Sequence, residues 1–143
     1  VRQFIDKMKQ YSDISAITLT HVLNLMTSAQ ICDFELMDNA INKVSADPTV
    51  FRIKDIERIF MCLSFFNNES HHDKLESICN ILDTNKDSEN LSIYNYPNCL
   101  LNILHYLCVL KCYPKPLIDN CFDPPFLNKI QSNIRILFTK FHL

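Results

Sequence analysis

One apolar spacing constrains this chain more than anything else in it. Leu19, Val22, Leu23 and Met26 stand at i, i+3, i+4 and i+7. Ile56, Ile59, Phe60 and Leu63 repeat that spacing, and Leu100, Ile103, Leu104 and Leu107 repeat it again. Each set forms one stripe along an amphipathic helix. The first set starts 37 residues before the second, and the second 44 before the third. A recurrence near this period is the signature of stacked helix pairs, in which each unit buries its apolar face against its neighbours.

A second stripe accompanies the first. Met37, Ala40, Ile41 and Val44 are matched by Leu75, Ile78, Cys79 and Leu82, 38 residues later. The unit is therefore helix A, a short turn, helix B. The excess length before the third set falls in Asp83 to Asn95 (DTNKDSENLSIYN), which reads as a polar loop insertion on one face. The predicted architecture is all-α, a right-handed α-solenoid-like stack of antiparallel helix pairs. It forms a single domain over 1–143, with repeats at about 14–45, 54–82 and 97–122 and a C-terminal helix over 125–141. A short helix within Val1 to Tyr11 leads in, with Phe4, Ile5 and Met8 apolar. Ser12 or Asp13 is expected to cap the helix from about Ile14 to Thr27, Asp33 the next one, and Ser70 with Asp73 to form a capping box further on. Pro97 suits the first turn of a helix, where its missing N–H would be unpaired anyway. Leu127, Ile130, Ile134, Leu137 and Phe141 form a closing apolar seam, which either packs on a following unit or folds back as a cap.

Several function classes drop out. The chain has no glycine, so a P-loop, a dinucleotide-binding turn and a nucleophile elbow all lack the residue their backbone needs. No apolar run approaches the length of a membrane-spanning helix. Seven cysteines, an odd number, are scattered over helical stripes. Cys62, Cys79, Cys99, Cys108 and Cys121 sit at or beside apolar positions and read as reduced core residues of an intracellular protein. His105, Cys108 and Cys112 fall at i, i+3 and i+7, but a closed zinc site needs a fourth ligand and the paired knuckles are missing. His71 and His72 read as a solvated turn. Neither a catalytic site nor a cofactor, metal or small-molecule substrate is expected. The enzymatic rival is a cysteine nucleophile at Cys112 near His105.

Aligning Leu19, Ile56 and Leu100 places His21, Arg58 and Asn102 in one column and Asn24, Met61 and His105 in a second, both away from the core stripe. In a solenoid, equivalent positions line one continuous face, and RNA-binding helical repeats read bases with two or three side chains per repeat. Arg58, with Arg52 and Lys54 before it on the same helix, is the most plausible phosphate contact. Candidate RNA-binding residues are thus His21, Asn24, Lys54, Arg58, Asn102 and His105. An ordinary polar helix face is the alternative, because the columns are poor in Lys and Arg. A net charge of −2 supplies no global attraction for a polyanion, so single-stranded RNA would be held weakly.

Tyr96-Pro97 through Pro114 (YPNCLLNILHYLCVLKCYP), then Leu117-Ile118 and Phe126-Leu127, resembles a block of the FAST kinase domain-containing proteins. There a Tyr-Pro, a Leu-rich helix ending in Leu-x-x-Tyr-Pro, and a downstream Phe-Leu recur. Phe51 to Phe66 (FRIKDIERIFMCLSFF) is similar to the helix that precedes that block. The resemblance implies a mitochondrial matrix factor controlling processing, stability or translation of organellar RNA. It further implies heptatricopeptide-type helical repeats and a C-terminal RAP domain beyond this sequence. It does not imply a kinase, since the Gly-rich loop, His-Arg-Asp and Asp-Phe-Gly signatures are missing. Val1 in place of Met suggests a segment cut from a longer chain, with any transit peptide outside it. A non-catalytic scaffold is the alternative function, its C-terminal helix docking a protein partner or a following domain.

Overall fold

A computed structural model describes residues 1–11 and 13–140, with side chains through residue 133. Eight α-helices make up the described residues, with no strand among them. They are α1 (Arg2–Lys9), α2 (Ala16–Ala29), α3 (Phe34–Ala46), α4 (Ile53–Phe65), α5 (His72–Thr84), α6 (Pro97–Val109), α7 (Lys115–Asn120) and α8 (Pro124–Lys140). A 3-10 turn, Pro48–Val50, joins α3 to α4. The five apolar stripes face inward. Every member is buried except Leu104, which is half-buried, and all belong to one contiguous core. Burial of a side chain of this size is worth about 1.5–3 kcal/mol, so the stripes are the main favourable term in folding. Helix α2 packs on α4 and α4 on α6, while α3 packs on α5 and α5 on α7. Two rows of helices result, joined where α3 meets α2 and α4, and α8 lies against α6.

Helix starts follow side-chain chemistry, with corrections. Ser15, not Asp13, caps α2, its Oγ accepting the Thr18 N–H at 3.2 Å, and Ser12 lies outside the described residues. Asp33 accepts the Leu36 N–H at 3.2 Å and caps α3 as expected. The expected box of Ser70 and Asp73 does not form. Ser70 is drawn instead to the Asn68 side-chain carbonyl, and α5 starts at His72 without a side-chain cap.

Helix ends share a feature that sequence reading missed. Gln30, Asn67 and Lys111 adopt left-handed backbone, with φ of 55°, 50° and 58°. Each lies 11 residues beyond the first apolar residue of its helix-A stripe. The next residue then donates its N–H back across the last turn: Ile31 to the Met26 carbonyl at 3.0 Å, Asn68 to Leu63 at 2.9 Å, and Cys112 to Leu107 at 2.9 Å. This is a Schellman closure, formed three times in the same register.

One expectation fails in the second half. The segment read as a polar surface loop is packed. Asp83 and Thr84 still belong to α5, and Leu91, Ser92 and Ile93 are buried. The Asn90 carbonyl accepts the Ile53 N–H at 3.0 Å, satisfying a donor that the first turn of α4 cannot pair internally. Tyr94 Oη donates to Asp123 at 3.0 Å, and buried Asn120 donates to Asp83 at 2.6 Å while accepting from Lys86 at 3.1 Å. Of the closing seam only the first two side chains are described, and they differ. Phe126 is buried and Ile130 half-buried, whereas Leu127 is exposed, because α8 meets α6 through the face that Phe126 occupies. The Ile134 and Leu137 side chains and Phe141 lie outside the described residues.

Candidate functional site

The start of α4 brings three cations close together, and one carboxylate organises two of them. Asp55 accepts the Arg52 backbone N–H at 3.3 Å and two guanidinium hydrogen bonds from Arg52, Nε at 2.8 Å and Nη2 at 3.0 Å. Arg58 Nη1 stands 3.6 Å from its Oδ1. Burial alone would raise the Asp55 pKa, but the hydrogen bonds from Arg52 and the charges of Arg52 and Arg58 outweigh it and hold the carboxyl below its ordinary value. Asp55 also supplies the negative charge that a helix N-terminus favours, which offsets the wrong sign of Arg52 and Lys54 there.

Lys54 has a different neighbour. Its Nζ lies 5.2 Å from the centroid of the Tyr96 ring, a cation–π contact. Tyr96 is 42% exposed and caps α6, where Pro97 fixes the first helical turn. Lys54 and Tyr96 form a wall between two depressions. The larger, about 350 Å³, is bordered by Glu57, Cys99, Asn102 and Asn133. The smaller, about 220 Å³, is bordered by Arg52, Glu89 and Asn90. Glu57 is held in place on the floor of the larger one. Its Oε1 accepts from Asn102 Nδ2 at 2.7 Å. The neighbouring Cys99 thiol is pushed up to about 12 by burial and by the nearby Glu57 carboxylate, so it stays protonated.

Of the residues predicted from sequence, Lys54 and Asn102 meet in this groove, and Arg58 is tied to its edge through Asp55. His21, Asn24 and His105 are exposed on α2 and α6 but do not line it. Sequence reading missed Tyr96, Glu57 and Glu89. Only the Tyr-Pro pair hinted at Tyr96, since Pro at a helix start places its predecessor at the rim.

The sulfur-rich face does not persist. Helix α6 ends at Val109, and left-handed Lys111 swings Cys112 into the core while His105 and Cys108 remain exposed. Cys108 is thus a correction to the expectation of a core thiol. Burial, with the nearby charge of Glu76, raises the Cys112 pKa, the opposite of what a nucleophilic thiolate requires. His71 is likewise not a solvated turn residue, for its Nε2 lies 2.6 Å from Asp38 Oδ1 and links the start of α5 to α3.

No curated protein and no solved structure matches the chain. A family model described as FAST kinase-like protein, subdomain 1, matches residues 56–131, more than half of the chain, from within α4 to within α8.

Proposed function

The chain belongs to the FAST kinase-like family, and from that premise we propose that it is an RNA-binding segment of a mitochondrial post-transcriptional regulator of RNA processing, stability or translation. The observation that carries the proposal is the groove at the start of α4. A lysine lies over an exposed tyrosine, Arg52 borders the smaller depression, Arg58 is held near Asp55 on the same helix, and asparagine amides border the larger depression. Single-stranded nucleic acid is held by this combination of aromatic platforms, cations and polar edges. In this reading α2–α3, α4–α5 and α6–α7 are successive repeats of one right-handed solenoid domain, and they act without catalysis. Binding is weak, because the net charge is −2 and phosphate pairing supplies most non-specific affinity.

Labelled single-stranded RNA titrated at low and then at physiological salt tests this. Binding is expected at low salt and is lost as salt rises. Lys54→Ala with Arg58→Ala is expected to weaken it and to flatten the salt dependence, by a slope of about 0.7 for each phosphate that is no longer neutralised. Absence of binding at low salt, or binding indifferent to the double substitution, would overturn the proposal. Exposed Phe122 and Leu127, flanking the start of α8, favour a second reading, a non-catalytic scaffold that positions a neighbouring domain.

A further inference from the structure

We infer that the larger depression selects guanine among the bases of a bound single strand. The inference rests on the RNA-binding reading and adds to it which base enters and why. Glu57 lines the depression as a carboxylate acceptor, its Oε1 held by the Asn102 amide at 2.7 Å. The carboxylate carries a second oxygen, Oε2, beside the one that Asn102 engages. The floor therefore offers acceptors side by side. On the Watson–Crick edge, guanine alone presents two adjacent donors, N1–H and the 2-amino group. Adenine sets one donor beside one acceptor, cytosine one donor beside two acceptors, and uracil a single N–H between two carbonyls.

The surroundings suit that edge. Tyr96 supplies a ring against which the base can stack, and Lys54 stands at the same wall to meet a phosphate. A volume of about 350 Å³ is at the small end of ligand sites and fits one base with its ribose. Glu57 repels a phosphate, so the floor admits an uncharged base edge and leaves the backbone to the cations at the rim. An acceptor pair left unmatched by the wrong base is the usual source of strong discrimination.

The test uses the intact chain and short labelled RNAs of alternating uridine and guanosine, uridine and adenosine, or uridine and inosine, at low salt. The guanosine RNA is expected to bind about ten-fold more tightly than the adenosine RNA, within the range of a bidentate base contact. Inosine keeps N1–H but lacks the 2-amino group, and should fall between them. Glu57→Gln, which puts a donor where an acceptor stood and removes a charge that repels phosphate, should abolish the preference by bringing the guanosine and adenosine RNAs to the same affinity. Equal, salt-sensitive binding of guanosine and adenosine RNAs would overturn the guanine inference and leave the RNA reading standing. So would inosine binding as tightly as guanosine, or a preference that survives Glu57→Gln in a variant with unchanged helical circular dichroism. No binding of any of the three would overturn both.

Discussion

Asp55 shows how much one side chain can decide. Nearly buried, it neutralises Arg52, restrains Arg58 and completes the first turn of α4. Its folded pKa is lowered, so its contribution is present above the unfolded value of about 3.9 and is lost as pH falls through the depressed folded value. Asp55→Asn is expected to cost about 1–2 kcal/mol at neutral pH. Urea midpoints followed from pH 5 downward should then fall less steeply than in the parent. Parallel curves would show that Asp55 does not carry this linkage. Sequence reading reached the cations of this site but not its acceptors. Lys54 and Arg58 were legible because charge on an exposed helix start stands out. Glu57 was not, because its meaning depends on Asn102 and Cys99, which lie on another helix and reach it only when α4 packs on α6.

At the scale of elements, the three left-handed helix ends are the least expected feature. Left-handed backbone costs a residue with a Cβ roughly 1 kcal/mol, and glycine usually fills the position. With no glycine in the chain, the sequence carries no marker of these closures. Gln30 is exposed, and its substitution removes no ion pair, unlike Lys111, whose Nζ lies 2.9 Å from Glu69. Gln30→Gly is therefore expected to stabilise by about 0.5 kcal/mol, with glycine's greater freedom in the unfolded chain limiting the gain. Thermal midpoints check it, and a lowered midpoint would mean that the Gln30 side chain holds the turn. The stripes, by contrast, were legible throughout, since burial is periodic along a helix. Ser70 misled because its hydroxyl found a nearer acceptor in Asn68. The loop misled because Leu91 and Ile93 are only two apolar residues in a polar run, yet both are buried.

Over the whole molecule, charge is mostly settled locally. Lys9 pairs with Asp33 and Glu35, Lys43 with Asp13, Lys111 with Glu69, and Lys115 with Asp119. Lys54 pairs with a ring instead of a carboxylate. That pairing has an optical side. The chain has no tryptophan, and its five tyrosines carry the ultraviolet emission. Tyr96 borders both depressions, while Tyr11 and Tyr113 are exposed elsewhere. A base laid against the Tyr96 ring opens a non-radiative path for its excited state. Tyrosine emission is therefore expected to dim as RNA is added, in step with binding measured by anisotropy. In Tyr96→Phe the ring still stacks but the phenol emission is gone, so binding should persist while the dimming disappears. Dimming that survives Tyr96→Phe would place the bases against another tyrosine. The residue that forms the wall of the groove would thus also report, in light, when the groove is filled.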